Sequence, residues 1–412
     1  MKTLIKSALI IDPTSTHNGK KRDILIDKGM IVKIAASISD TKAEVISGKN
    51  LCASPGWIDL RANFRDPGDE HKEDLHSGLD AAEAGGFRFV VTMPSTNPVI
   101  DSKSQIEYIT SRNAHHTVEV LPAGALSAKM EGKVLAEMYD MQQAGAVAFC
   151  DDKQNVSTEM MVRALEYAKN FHGLIMSFPY DGGVNPGGLI NEGPSSVNTG
   201  MKGLSNTSEE LRLMRDIELL RYTGGKLHVS LISTAQSVEL IRKAKKEKLN
   251  ITCAIAAHQL AFLDSDLETF DSNLKVLPPF RNTDDRKALI KGLKDGTIDA
   301  ICSDHQPEDH EHKVLEFEYA NFGISSIQTA FSVALTHLGD SIELPVLIEK
   351  FTTGPAKVLG MGISSIEEEY QAELTVFETE TERTFGKKEW RSKSINSPFF
   401  DKTLKGNVIA VI

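Results

Sequence analysis

The sequence has few cysteines and lacks long apolar runs. Its four cysteines, Cys52, Cys150, Cys253 and Cys302, form no CxxC pair and stand among apolar residues. We expect buried, reduced thiols, because disulfide frameworks and cysteine metal sites need paired or closely spaced cysteines. No stretch approaches the roughly 18 apolar residues that a membrane helix needs. The sequence therefore predicts neither a disulfide-stabilised protein nor a membrane-spanning one.

Positive charge is also scarce. Lys and Arg number 46 against 57 Asp and Glu, which makes the net charge −11. This acidic balance argues against nucleic acid and against an anionic membrane surface as partners. We expect no secretory signal, because Asp12 and Pro13 interrupt the short apolar stretch that begins the chain. A cytoplasmic protein of ordinary globular composition is the resulting expectation, with 41% apolar and 25% charged residues.

After Pro55-Gly56, short continuous apolar runs alternate with stretches of helical periodicity. Continuous runs are typical of parallel strands that are covered on both faces. Eight repeats of strand and helix predict an α/β fold, a (β/α)₈ TIM-type barrel. The eight runs are residues 57–60, 87–93, 118–121, 146–149, 174–176, 227–232, 251–255 and 298–302.

The two ends of the chain have a different pattern, with short strand-like segments and turns. Apolar segments flank a turn at Lys28-Gly29, and similar strand-like segments occur at 373–377 and 407–412. We predict that residues 1–52 and 363–412 form one composite β domain beside a barrel domain of residues 53–362.

Two further features concern the connections of the barrel. Thr234 and Thr283 each precede a helical segment and are predicted to be N-caps. The Gly-, Pro- and Asn-rich stretch 181–203 is predicted to be a long loop, and a loop of that length is more often functional or contact-making than idle.

Function in such a barrel collects at the C-terminal ends of the strands. The sequence at these strand ends, and along most of the chain in the same order, resembles that of the dihydroorotase branch of the amidohydrolase superfamily. The matching segments are PGWIDLRANFRDPG (55–68), EAGGFRFVVTMPSTNPVID (83–101), GAVAFCDD (145–152), HVSLIST (228–234), KVLPPFRNTDDRKALIKGLKDGTIDAICSDHQP (275–307), FTTGPAKVLGMG (351–362) and NSPFFDKTLKG (396–406). The resemblance implies hydrolysis of a cyclic amide with one or two zinc ions, which polarise the carbonyl and activate a water.

The resemblance also implies six metal-ligand positions, and most of them have changed. The His-x-His pair of the first strand is replaced by Arg61 and Asn63. The histidine of strand five is replaced by Phe178, or by Ser177 if the alignment shifts by one, and that of strand six by Leu231. Two carboxylate positions are kept, Asp151 and Asp304, and Asp304 is also the family's catalytic base.

Arginine cannot act as a ligand, and Leu and Phe have no lone pair to offer. Two aspartates alone suit Mg²⁺ or Ca²⁺ better than zinc. We therefore expect no cofactor, vestigial roles for Asp151 and Asp304, and a salt bridge from Arg61 to one of these two carboxylates.

The substrate contacts implied by the resemblance are altered too. Arg65, which matches the arginine that holds the substrate carboxylate, is kept. The other three positions carry Ser95, Leu277 and Glu308 in place of two Asn and a His. A carboxylate at position 308 is expected to repel an anionic substrate.

Other histidines have ordinary interpretations. His228 is expected to be a satisfied interior residue, and His258, in what is left of a paired-histidine motif, to be structural. The run Asp309, His310, Glu311 and His312 reads as solvated loop charge rather than a metal site. His115-His116 is expected at an exposed helix end or face.

The leading hypothesis is a dihydroorotase homologue of pyrimidine biosynthesis that has lost catalysis. By resemblance, since the family includes metal-less members that scaffold aspartate carbamoyltransferase, the partner is another copy or a pyrimidine-pathway enzyme, in a homo-oligomer or hetero-complex. The alternative is an active cyclic amidohydrolase with a rearranged or single-metal site, with zinc as cofactor.

Overall fold

The computed structural model describes residues 2–112 and 116–412, apart from the side chain of Asp340. His115, expected at an exposed helix end or face, lies outside the described residues. The strands are β1 (Lys2–Ile10), β2 (Lys21–Asp27), β3 (Met30–Ala35), β4 (Glu44–Ile46), β5 (Leu51–Pro55), β6 (Trp57–Ala62), β7 (Phe87–Thr92), β8 (Glu119–Gly124), β9 (Ala148–Phe149), β10 (Ile175–Ser177), β11 (Ile190–Asn191), β12 (Gly203–Leu204), β13 (Leu227–Val229), β14 (Ile251–Ala256), β15 (Ala300–Cys302), β16 (Leu374–Thr384) and β17 (Thr403–Val411).

The α-helices pack mainly around the barrel. They are α1 (Leu75–Ala84), α2 (Lys103–Ser111), α3 (Met138–Gln143), α4 (Thr158–Lys169), α5 (Pro194–Thr199), α6 (Asn206–Thr223), α7 (Ala235–Lys246), α8 (Thr283–Lys294), α9 (His310–Lys313), α10 (Ala330–Leu338), α11 (Leu344–Glu349) and α12 (Thr353–Leu359). Short 3₁₀ turns occupy Ala128–Met130, Ala257–Leu260, Asp264–Thr269, Ser272–Leu274, Ile327–Thr329 and Gly339–Ser341. Among the helices of the described residues, none combines the length and apolar character that crossing a membrane would require.

The predicted barrel is confirmed. Strands β6 to β10 and β13 to β15 form one parallel sheet in chain order, each at or within three residues of a predicted apolar run. A parallel bridge between Ala62 and His305 joins the first strand to the segment after the last and closes the barrel. The interior is apolar, with Ile58, Leu60 and Val91 among its buried side chains.

The two ends of the chain form a second sheet, with strand order β17-β16-β5-β1-β2-β3 and β4 paired to β1. The predicted turn lies between β2 and β3, where Lys28 and Gly29 have positive φ values of 52° and 77°. Glycine tolerates this conformation without cost, so the hairpin has the turn residue it needs. The domain boundaries drawn from the sequence remain a prediction, and β5 continues to Pro55, past residue 52.

One predicted cap is right and one is wrong. The Thr234 side chain accepts a hydrogen bond from the Ser237 N–H at the start of α7. At α8 the cap is Asn282, whose Oδ1 accepts from the N–H groups of Asp284 and Asp285 at 2.9 and 3.0 Å. Thr283 is the first helical residue, because the better acceptor immediately before it takes the cap position.

The predicted loop 181–203 contains β11 and α5 and lies against the barrel. Arg281 attaches it by hydrogen bonds from Nη1 to Asn191 Oδ1 at 2.9 Å and to the Leu204 carbonyl at 3.1 Å. The same guanidinium donates to Ser233 Oγ at the end of β13. A second connection, residues 385–402 between β16 and β17, reaches the barrel mouth. There Asn396 Nδ2 donates to the carbonyls of Gln306 and Gly323.

Candidate functional site

Arg61 occupies the centre of the barrel mouth. Its β6 strand shifts register against β7 between Asp59 and Ala62, and such irregularities re-aim side chains. The guanidinium is 1% exposed, and its Nε donates to Asp304 Oδ1 at 2.8 Å. Its Nη2 makes a close ion pair with Asp152. The predicted salt bridge from Arg61 to Asp304 is thereby confirmed.

The second carboxylate at Arg61 is Asp152, not Asp151. The Asp151 carboxylate turns away and accepts hydrogen bonds from the Ser127 hydroxyl and from the N–H groups of Leu126 and Ser127. Asp152 has φ 46°, a left-handed conformation that aims its side chain into the mouth. The sequence carries two adjacent aspartates after β9, and nothing in the pattern distinguished which of them faces inwards.

Left-handed backbone recurs at the mouth. Besides Asp152, Asp304 has φ 48° and Arg65 has φ 59°. A non-glycine residue in this region is strained, and such strain persists only where neighbouring contacts hold the residue in place. The geometry of the mouth is therefore fixed by the fold, although its chemical groups differ from those the resemblance implies.

The ion pairs at the mouth shift the pKa values of their members. Burial works to raise the pKa of Asp152, but the charges of Arg61 and Lys153 outweigh it and hold that pKa below its ordinary value. Burial works to lower the pKa of Arg61, and Asp152 and Asp304 raise it above its ordinary value instead. Burial lowers the pKa of Lys153, against the attraction of Asp304. The centre of the mouth therefore holds a permanently charged guanidinium that faces an ionised Asp152.

Asn63 and Ser95 connect the first two strand ends. Asn63 Nδ2 donates to Ser95 Oγ at 3.0 Å and to its carbonyl at 3.1 Å, while Asn63 Oδ1 accepts from the Arg65 N–H at 2.8 Å. The Ser95 hydroxyl in turn donates to Asp152 Oδ2 at 2.5 Å. Both side chains are committed to these internal hydrogen bonds.

Three further altered positions carry apolar side chains. Phe178 is buried, and the Arg61 Cζ lies 5.2 Å from the centroid of its ring. Leu231 is buried in the same interior cluster, and Leu277 packs against that cluster from its edge. A cation over an aromatic face is a favourable contact, so Phe178 adds to the stability of the Arg61 charge.

Arg65 is engaged by the protein's own carboxylate. Its Nη2 donates to Glu308 Oε1 at 2.6 Å, and its Nε donates to the Pro307 carbonyl at 3.0 Å. Lys72 Nζ donates to the other oxygen, Glu308 Oε2, at 2.9 Å, and Asn321 Nδ2 donates to it at 3.1 Å. The expected repulsion of an anionic substrate by Glu308 thus takes a specific form, because Glu308 already occupies the guanidinium.

The interior histidines are less satisfied than expected. His228 Nδ1 lies 2.9 Å from Thr252 Oγ1, but its Nε2 has no hydrogen-bond partner among the described residues. For His258, edge-on to Phe280, the same holds of both ring nitrogens. Burial lowers the pKa of His228 to about 3 and that of His258 to about 4. Both rings are therefore neutral at physiological pH.

The acidic and histidine-rich run after the last strand, expected to be a loop, forms the short helix α9 and its N-cap. Asp309 caps α9 by accepting from the His312 N–H at 2.8 Å, and His71 Nε2 lies 3.1 Å from its other oxygen. The charges are mutually paired rather than gathered around a common centre.

A different cluster in the described residues has the spacing of a metal site, namely Asp80, Glu83 and His116. His116 Nδ1 accepts from the Val118 N–H at 3.0 Å, so the neutral ring carries its proton on Nε2. That Nε2 lies 3.3 Å from Asp80 Oδ1 and therefore donates to the carboxylate. The tautomer fits a hydrogen bond to the carboxylate, and it leaves no lone pair directed at the acids for a metal.

The donor set of the mouth differs from that of a zinc site. Zinc sites in proteins use imidazole, thiolate and carboxylate ligands in a tetrahedral arrangement. Here a guanidinium donates to the two carboxylates, and a phenyl ring and a leucine stand where imidazoles are implied. These residues do not fit a zinc ion.

Three residues of the mouth were missed from the sequence. Lys72 and Asn321 complete the Glu308 contacts, and Asn396 Oδ1 accepts from the Glu308 N–H at 3.0 Å. Each lies in a connecting segment rather than at a strand end, so the residues at the strand ends do not indicate them. Asn396 does lie inside a matching segment, which was the one available indication.

The comparisons with known proteins agree with this architecture. A family profile described as Dihydro-orotase-like matches residues 50–237. The chain is 37% identical to a protein named dihydroorotase from Syntrophus aciditrophicus, covering 100% of this chain and 98% of the relative. It is 39% identical to one from Carboxydothermus hydrogenoformans, covering 98% and 95%. This chain belongs to the dihydroorotase family.

Solved structures show the same fold at lower identity. An L-hydantoinase (dihydropyrimidinase) from Arthrobacter aurescens superposes with a TM-score of 0.85 at 20% identity, covering 100% of this chain and 94% of that one. Within the dihydroorotase family, the present chain is thus a cyclic amidohydrolase-type barrel whose mouth carries an arginine-centred ionic cluster.

Proposed function

We propose that this chain is a non-catalytic member of the dihydroorotase family, retained in the cytoplasm as a structural or interaction subunit of pyrimidine biosynthesis. One observation carries the proposal: the Arg61 guanidinium binds both inward-facing carboxylates, Asp152 and Asp304. It supplies the positive charge that a metal would supply, but it neither lowers the pKa of a water nor polarises a carbonyl as a Lewis acid does.

The substrate side supports the same proposal. Glu308 holds Arg65, and Leu277 places an apolar side chain at another altered position. A bound substrate would lose both charge pairing and positioning, and positioning alone is worth several kcal/mol in catalysis. The fold is intact, and the charges at the barrel mouth pair with each other. Surface contacts are therefore the property that remains to be explained. The partner classes that we propose are a second copy and a pathway enzyme such as aspartate carbamoyltransferase.

Catalysis is tested with the purified chain. Dihydroorotate hydrolysis is measured with Zn²⁺, Mn²⁺ or Co²⁺ added, and bound metal is measured by elemental analysis. We expect no turnover and far less than one zinc per chain. Turnover at roughly 1 s⁻¹ or above, comparable to ordinary enzymes, would contradict the proposal and favour an active hydrolase with a rearranged or single-metal site.

A reversal variant sharpens the test. Arg61→His, Asn63→His, Phe178→His and Leu231→His are combined, and a matched control carries Gln at the same four positions. We expect zinc binding only in the His variant, because imidazole is the missing ligand type.

The interaction role needs its own measurement. The chain is mixed with aspartate carbamoyltransferase of the same organism, and the mass of the mixture is measured by light scattering. A defined complex, or a stable homo-oligomer of the chain alone, supports the role. A chain that is monomeric and forms no complex with the enzyme contradicts it.

A further inference from the structure

Glu308 is a buried carboxylate with a full set of donors. Its side chain is 5% exposed, and it receives hydrogen bonds from two cations, Arg65 and Lys72, and from the Asn321 amide. Charge-assisted hydrogen bonds of this kind are roughly twice as strong as neutral ones. Two cations and an amide converging on two oxygens form the environment that binding sites offer to the carboxylate of a ligand.

The side chain of Arg65 and the backbones of Lys72 and Asn321 are held by contacts that do not involve Glu308. Arg65 is fixed through its N–H to Asn63 and through its Nε to the Pro307 carbonyl. The Lys72 carbonyl accepts from Ser394 Oγ at 2.6 Å. The Asn321 carbonyl accepts from Lys313 Nζ at 2.8 Å. The arrangement is therefore expected to survive the loss of the Glu308 carboxylate.

A pocket provides access from solvent. A cavity of about 290 Å³ lies beside Glu308, lined among others by His71, Lys313 and Asn396. This volume far exceeds that of an acetate ion. Lys313 is also buried, which lowers its pKa to about 7, and the charge of Glu308 opposes that shift.

We propose that Arg65, Lys72 and Asn321 form a carboxylate-binding site that Glu308 fills as a built-in ligand, and that removing the Glu308 side chain opens this site to small carboxylate anions. The inference rests on the proposed function, since a permanently filled anion site belongs to a barrel that does not admit an anionic substrate. The inference adds a mechanism for this exclusion, because the Glu308 carboxylate occupies the donors that the carboxylate of a substrate would need.

The experiment is chemical rescue of Glu308→Ala. Thermal unfolding is followed in sodium acetate, with acetamide and sodium chloride at matched concentration and ionic strength. We expect acetate to raise the unfolding midpoint of the variant saturably, recovering half or more of the loss, while acetamide and chloride do not. The wild type and Glu311→Ala, at an exposed neighbouring position, should show no specific response to acetate.

Two further variants identify the site. Arg65→Met combined with Glu308→Ala should abolish the rescue, because the guanidinium that pairs with the carboxylate is gone. Glu308→Gln keeps the volume filled and should not respond to acetate. If Glu308→Ala does not fold unaided, refolding yield in acetate against acetamide becomes the measurement, and recovery in acetate alone supports the site.

The inference is overturned if acetate and acetamide act equally, if neither acts, or if the wild type responds as the variant does. These readouts do not involve turnover. Rescue in a chain that hydrolyses dihydroorotate would contradict the proposed function and leave the carboxylate site standing. An inactive chain without rescue would overturn the carboxylate site and leave the proposed function standing.

Discussion

The mouth of this barrel holds two ionic clusters that differ in their enclosure. The Arg61 cluster, with Asp152 and Asp304, is buried on all sides, and its arginine is 1% exposed. The Glu308 cluster, with Arg65 and Lys72, lies at the rim beside a pocket of about 290 Å³. Both compensate charge internally, and the second is adjacent to space that a ligand can enter.

This difference indicates separate consequences for the two sites. Removing one member of an enclosed ion pair strongly destabilises the fold, because the buried charge that remains has no partner. In the Glu308 cluster the carboxylate keeps other donors when one is removed, so the loss of a single partner costs less. The Arg61 cluster should therefore behave as a structural element and the Glu308 cluster as an exchangeable one.

The largest effect is expected from Arg61→Met. Asp152 and Asp304 would face each other without a cation, and the free energy of unfolding should fall by about 3–5 kcal/mol. Urea unfolding measures this loss. Arg242→Met, which removes an arginine paired at the surface with Glu239 and Asp295, is the control and should cost about 0–1 kcal/mol.

A refinement tests the cause of that loss. Combining Arg61→Met with Asp152→Asn and Asp304→Asn removes the repelling charges and should recover most of the stability. Equal losses in Arg61→Met and Arg242→Met would remove the distinction between the enclosed cluster and a surface pair.

The next effect concerns pH on the enclosed side. His258 has its pKa lowered by burial from 6.5 to about 4. A base with a lowered folded-state pKa contributes stability that is present above pH 6.5 and is lost as the pH falls to about 4. His258→Leu should reduce the fall over this window by roughly 3 kcal/mol. His76→Gln, at a side chain that is 82% exposed, should leave the pH profile unchanged, and an identical profile in His258→Leu would contradict the expectation.

A smaller effect is expected at the rim. In Arg65→Met, Glu308 keeps Lys72 and Asn321 as donors, so the loss should be about 1–3 kcal/mol, the range for hydrogen bonds to a charged group. Arg65→Lys, which keeps the charge but not the forked geometry, should cost less. A loss as large as that of Arg61→Met would show that the two clusters are equally structural.

The smallest effect lies outside both clusters. Asn282→Ala removes the cap of α8 and should cost about 1 kcal/mol. Thr283→Ala at the adjacent residue, which the sequence analysis named as the cap, should change the unfolding midpoint little. The opposite order would restore Thr283 as the cap.

The barrel and the composite terminal sheet could be predicted because their evidence is local and repeated. Eight continuous apolar runs specify parallel strands covered on both faces, and the observed strands lie on or beside them. The salt bridge from Arg61 to Asp304 could also be predicted, since both residues end strands that meet at one mouth. Which of Asp151 and Asp152 faces Arg61 could not be predicted, because the backbone conformation at a single residue decides it.

The sequence by itself determined the architecture of this protein and which ligand types are missing from its mouth, because periodicity and residue identity are properties of the chain. The tertiary structure alone decided that Glu308 holds Arg65 together with Lys72 and Asn321. Arg65 and Lys72 come from the connection between β6 and α1, and Asn321 comes from the connection between α9 and α10. Their approach depends on packing around the closed barrel rather than on any local pattern. The tertiary structure likewise decided that the ring nitrogens of the buried His258 have no hydrogen-bond partner among the described residues, since their neighbours are set by contacts distant in sequence.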